Sequence, residues 1–176
     1  MINVEAARKI ATAHVRGLGN EAKLELTLVE EPIASDHYGW VFGYNTTAYL
    51  ETNSFSFALA GNAPLLVEKS TGILRSLGTA YPVEYYINNY IEFGDPHAEA
   101  SRQIELFSHD DQNIRPIEAI KLIRSECGIG LEKARIAFED CVSDGSPILE
   151  LENPDAAQQM VISLKTCGIL AKRLPK

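Results

Sequence analysis

At 176 residues, with 45% hydrophobic and 23% charged side chains, the chain has the composition of an ordinary folded soluble protein of one domain or two small ones. No apolar run approaches the ~20 residues that a membrane helix needs, and Met1–Glu5 shows no basic region followed by an apolar one, so the cytoplasm is the expected location. The net charge is −8, and residues 1–99 hold six basic against twelve acidic side chains, which argues against nucleic acid as a partner of that half and favours a basic protein.

Asn3 is the N-cap expected for a first helix, with Val4, Ala7, Ile10, Ala11 and Val15 on one stripe and Gly17 beyond its end. Leu24, Leu26 and Leu28 alternate with polar residues as in a half-buried strand. Trp40, Phe42 and Tyr44 share one face of the next strand, and Phe55, Phe57 and Leu59 alternate as in another. The aromatics from Tyr38 to Phe57 are expected to fill the space between sheet and helices. Gly61, Asn62 and Gly72 supply turns with positive φ around the strand Leu65–Leu66–Val67. Pro82 starts a helix that buries Val83, Tyr86, Ile87 and Tyr90 and stops at Gly94.

Gly94, Pro96 and the loss of apolar periodicity place a boundary there. Residues 96–101 read as a linker between a domain over 1–95 and a second over 102–176. In the second, Ile104, Leu106 and Phe107 mark a strand, and Pro116 opens a helix with Ile117, Ile120, Ile123 and Cys127 inward. Gly128–Ile129–Gly130 turns into a helix carrying Ala134, Phe138 and Cys141, and a strand-like run follows. Asn153 and Pro154 start a last helix, Gly168 ends it, and Ile169–Leu174 is a strand. The fold class is therefore α+β: an antiparallel sheet with two helices, then a small β-α-α-β-α-β domain.

The order Gly61–Asn62–Ala63–Pro64, a Leu-Val strand, Thr71–Gly72, Leu77–Gly78–Thr79 and Pro82–Val83–Glu84–Tyr85 resembles the immunity protein 35 (YrhB-type) family, small bacterial proteins found beside polymorphic toxins. Further on, Ile120–Lys121–Leu122–Ile123–Arg124 and Gly130–Leu131–Glu132–Lys133–Ala134–Arg135 are similar to the carboxy-terminal domain of the ribosomal stalk protein. Asp155–Ala156 and Cys167–Gly168 fall where that family has a helix start and a stop. The second resemblance implies contacts to translation factors through Lys121, Arg124 and Arg135; Phe138, Cys141 and the longer Ser146–Asn153 segment depart from its pattern.

Catalytic signatures are absent. Gly128–Ile129–Gly130 is followed by Lys133 where a dinucleotide loop needs a small residue, and it joins two helices. His109–Asp110–Asp111 and Asp95–Pro96–His97–Ala98–Glu99 read as solvated connections, not metal sites. The three cysteines, Cys127, Cys141 and Cys167, stand on apolar helical faces and read as buried reduced thiols. The expectation is a non-enzymatic protein without metal or cofactor: a cytosolic immunity protein that binds and neutralises a cognate toxin, one with a basic, nucleic-acid-directed groove fitting best. Glu30, Glu31, Asp36, Glu51, Glu92 and Asp95, chosen for charge and expected exposure, are the candidate contacts. The alternatives are a chaperone-like or peptide-binding module that exposes the Trp40–Phe57 aromatics, and a translation-linked adaptor.

Overall fold

A strand such as Leu65–Leu66–Val67, apolar at every position, must be covered on both faces. The computed structural model, which describes residues 1–176, places it as the second of two central strands in a sheet flanked by helices on both sides. The chain divides into two units, Met1–His97 and Ala98–Lys176.

In the first unit, α1 (Val4–Ala22) is followed by β1 (Leu26–Leu28), β2 (Ala34–Asp36), β3 (Gly39–Phe42), β4 (Tyr44–Thr46), α2 (Thr47–Thr52), a 3₁₀ turn over Phe55–Phe57, β5 (Leu65–Glu68), β6 (Leu74–Ser76) and α3 (Val83–Phe93). The main sheet has the order β2-β3-β5-β6 with all neighbours antiparallel, while β1 and β4 form a separate pair. Pairing of Val41 with Leu66 and of Phe42 with Leu65 sorts the side chains onto two faces. Val41 and Leu66 pack with Leu77, Tyr86 and Ile87 on the α3 side, whereas Phe42 and Val67 pack with Ala7 and Ala11 on the α1 side. Burying one such leucine or phenylalanine stabilises the fold by about 1.5–3 kcal/mol.

Four expectations are corrected in this unit. The first helix does not stop near Gly17 but runs to Ala22 and ends on Lys23 in the left-handed region (φ 56°). An interior glycine costs a helix only about 1 kcal/mol, and the bare Gly19 lets the Leu24 amide return to its carbonyl at 2.9 Å. Tyr44 does not share a strand with Trp40 and Phe42, because the chain changes sheets at Gly43. Phe55–Leu59 is not a strand. Asn45 Oδ1 accepts from both Thr46 N (2.9 Å) and Leu59 N (2.7 Å). Thr46 Oγ1 caps α2 by accepting from Tyr49 N (3.1 Å) and donates to Phe57 O (2.5 Å). These side chains hold a helix and a turn where alternation alone reads as extended. Of the turn residues, Gly61 (φ 76°) and Gly72 (φ 75°) take positive φ, but Asn62 does not; its side-chain amide donates to the Tyr44 carbonyl instead.

The second unit runs β7 (Ala100–His109), α4 (Pro116–Glu126), α5 (Leu131–Val142), β8 (Ile148–Glu150), α6 (Pro154–Thr166) and β9 (Ile169–Pro175), the expected order. Its sheet is β8-β7-β9, antiparallel throughout. The core is one cluster in which Ile104, Leu106, Leu149 and Ile169 of the sheet meet Ala119, Ile123, Phe138, Met160 and Leu164 of the helices. Asn153 caps α6 through Ala156 N at 2.9 Å. Gly168 (φ 77°) allows the chain to turn against the backbone of Asn113 and Ile114, where any Cβ would collide. The connection between the units is shorter than expected, because β7 begins at Ala100 and pairs it with Pro175.

Candidate functional site

Of the acidic side chains in the first unit, Glu68 is the one turned inward, with its side chain only 6% exposed. A buried carboxylate persists when donors surround it. Arg75 Nε donates to Glu68 Oε1 at 2.6 Å, and Thr71 Oγ1 donates to Oε2 at 2.5 Å. Burial pushes the Glu68 carboxyl up, but the bonds from Thr71 and Arg75, the Arg75 charge and the Tyr90 hydroxyl outweigh it and hold the group below the ordinary carboxylate range. Arg75 also lies 5.6 Å from the centre of the Tyr90 ring. Tyr90 itself is pushed up by burial and by Glu68, and so remains a neutral hydroxyl. Because Glu68 and Arg75 are on the sheet and Tyr90 is on α3, this network fixes the helix to the strands.

Three further contacts tie α3 to the chain around it. His97 Nε2 donates to the Ser76 carbonyl at 2.8 Å, and its ring meets Tyr86 edge-on at 5.6 Å. The buried Asn89 reaches the Pro96 carbonyl at 3.4 Å. Tyr86 lies against Gly78, where an added Cβ would strike its ring.

The opposite face of α3 is open. Tyr81 is 58% exposed, Tyr85 37% and Ile91 48%. The rings of Tyr81 and Tyr85 lie 4.4 Å apart, and Tyr85 meets Tyr86 at right angles at 5.3 Å. Glu84, Tyr85, Asn88, Ile91 and Glu92 fall on one helical stripe, all exposed. Exposed tyrosines stacked on a rigid support and flanked by charge are the composition of a protein-docking surface.

All six acidic residues selected from sequence are exposed. Glu92 is on this stripe and Asp95 follows α3, where it accepts from His97 N at 2.9 Å. Asp36 sits at the β2–β3 turn; burial first, then Asp36 and Glu84 together, push the Tyr38 hydroxyl up, so both carboxylates border the α3 side. Glu30 and Glu31 lie in the loop after β1, and Glu51 lies on α2, away from this stripe in sequence and element. Tyr81 and Tyr85 were not among the residues singled out by sequence. Tyr85 lies opposite the apolar stripe of Val83, Tyr86, Ile87 and Tyr90, which is the signal that marks it, whereas Tyr81 precedes the helix and no helical spacing marks it.

The aromatics between Tyr38 and Phe57 divide. Phe42 is fully buried in the sheet–helix interface as expected, while Phe55 (85% exposed) and Phe57 (50%) are not. In the second unit Lys121, Arg124 and Arg135 are exposed, but Arg135 is held by Glu132 at 2.9 Å and Glu139 at 2.7 Å. All three cysteines are free thiols; Cys141 and Cys167 are buried, but Cys127 is half-buried, its thiol pushed up to about 11 by burial and by Glu126.

Comparison with known proteins bears on the first unit. Residues 5–89 match the family model of immunity protein 35. The chain is also similar to the uncharacterized protein YrhB of Escherichia coli (strain K12), 44% identical over 52 residues, which is 30% of this chain and 55% of that protein. The chain thus spans about half the length of the curated relative it matches. No solved structure matches. The immunity-family match ends before the second unit begins, and nothing in these matches supports the resemblance of that unit to the ribosomal stalk domain.

Proposed function

We propose that this protein is a cytosolic immunity protein that binds a cognate bacterial toxin and neutralises it by occupancy, without catalysis, metal or cofactor. The match of residues 5–89 to the immunity protein 35 family carries this reading. The outer face of α3 is the contact surface we assign, with Tyr81 and Tyr85 as anchors and Glu84, Glu92, Asp95 and Asp36 as its acidic fringe. Desolvated tyrosines contribute most per residue at such interfaces, and a fringe of one sign speeds encounter with a partner of the other. That sign favours a toxin with a basic groove, as required for attack on nucleic acid.

Co-expression with the toxin encoded beside it tests the proposal. Cells survive with the wild-type chain, and survival falls with Tyr85→Ala combined with Glu84→Lys although circular dichroism shows a folded protein. Killing that persists in the presence of soluble wild-type protein removes the reading. A second reading rests on the exposure of Phe55 and Phe57 beside a groove of about 380 Å³ that includes Leu24 and Leu59. A peptide-binding or chaperone-like module would use that groove, and it would suppress aggregation of unrelated clients where an immunity protein would not.

A further inference from the structure

The second unit has an open sheet edge with an apolar floor beside it. Leu106 N donates to Pro147 O at 3.0 Å, and Leu151 N donates to Arg102 O at 2.9 Å. In this antiparallel register, odd-numbered residues of β8 turn their backbone groups toward β7, so Ile148 and Glu150 direct both N–H and C=O outward. β8 is an outer strand, and no strand satisfies those four groups. Such an edge is a template for another strand unless it is blocked.

A groove of about 780 Å³ runs along this edge between β8 and the α4–α5 pair. Cys127, Ile129, Ile136 and Ala137 give it an apolar side, with Ile136 53% exposed. On the other face of the strand Ile148 is 58% exposed. The charged lining is unbalanced. Glu126, Asp140, Glu150 and Glu152 stand against Lys133 and Arg102, and Arg102 is already ion-paired with Glu150. A strand laid along β8 would turn alternate side chains toward the helices and toward the face that bears Glu150.

We propose that β8 and the groove beside it form a strand-addition site for an extended segment of a partner protein in which apolar and basic residues alternate. The apolar residues cover Ile129 and Ile136, and the basic ones meet Glu150 and Glu152. A second copy of this chain fits poorly, because β8 and its flanks, Ser146–Asn153, hold no basic residue to face Glu150 and Glu152. The site is independent of the toxin-binding reading, which concerns the first unit.

The test uses the full chain labelled with ¹⁵N and an end-capped Lys-Val-Lys-Val-Lys-Val peptide as the probe. The peptide should slow hydrogen exchange of the Ile148 and Glu150 amides by about tenfold or more, as expected for newly bonded groups. Ile148→Pro removes an outward N–H without touching the bonds to β7, so binding should be lost while the Leu106 and Leu151 amides stay protected. Ile136→Lys, on the exposed floor, should also abolish binding and provides the check if the proline variant is misfolded. The proposal is overturned by absence of binding, by binding that leaves both amides unprotected, or by equal binding of a Glu-Val peptide. Protection that grows with protein concentration alone overturns it in favour of a second copy.

Discussion

The two units bury their sheets differently. In the first, β3 and β5 are enclosed between α1 and α3, and its core is split into one cluster per face. In the second, three helices cover one face of the sheet with a single cluster, and the other face holds Phe107, Ile148 and Lys172 at the surface. Enclosure on both sides leaves no room for a charge without a partner, which is why Glu68 comes with Arg75, Thr71 and Tyr90. The one-sided unit needs no such device; its ion pairs, such as Lys172 with Glu105 at 3.2 Å, lie on the solvent side. A doubly covered sheet can thus anchor a helix by polar bonds and leave that helix's outer face free for recognition.

The largest expected effects come from the cores, and each unit carries its own reporter: the single tryptophan is Trp40, and all cysteines lie after residue 126. Leu66→Ala should cost about 2–5 kcal/mol and shift the urea midpoint read by tryptophan fluorescence, leaving the midpoint read by thiol accessibility in place. Ile104→Ala should do the reverse. A shift of both midpoints by either substitution would show that the two cores melt as one.

Next comes the polar anchor. Arg75→Met leaves Glu68 buried without its cation, at a cost of about 3 kcal/mol, again seen by Trp40 alone. The same pair gives the first unit a pH dependence. The Glu68 carboxyl is held below its unfolded value of about 4.3, so the unfolded chain binds more protons in that window and stability rises with pH. The contribution is present above that unfolded value and is lost as pH falls through the lowered folded value. Urea midpoints from pH 6 to pH 3 should show this loss, and Glu68→Gln should flatten it.

Smaller effects sharpen the contrast. Asn3→Ala and Asn153→Ala each remove a side-chain cap, one per unit, and should each cost about 1 kcal/mol in the transition of their own unit. Arg135→Met removes two exposed ion pairs on α5 and should leave the thiol-reported urea midpoint unchanged within error. A measurable loss would give Arg135 a packing role that its exposure does not indicate.

Much of the second unit is legible in the sequence because its signals are local. Pro116, Gly128–Gly130, Asn153–Pro154 and Gly168 punctuate the helices within a few residues of where they act. The region from Asn45 to Leu59 is less so, since Asn45 Oδ1 binds an amide fourteen residues away and no periodicity reports that. Glu68 belongs to the same class: it follows Leu65–Val67 in a strand whose end could face water, and only tertiary packing makes it internal. At the candidate site, charge marks Glu92 and Asp95 and periodicity turns Tyr85 outward, while Tyr81 lies before the helix, where no periodicity reports its exposure.

The bonds from Arg75 and Thr71 to Glu68, together with Tyr90, have a kinetic corollary. Apolar packing alone tolerates sliding of a helix over a sheet, whereas directional bonds select one azimuth. Tyr81 and Tyr85 therefore stand on a scaffold already set, and their mutual stacking removes part of the rotamer freedom that the proposed association would otherwise have to freeze. If the proposed docking holds, it should be a rigid-body event, with changes at the tyrosines felt in the dissociation rate more than in the rate of encounter.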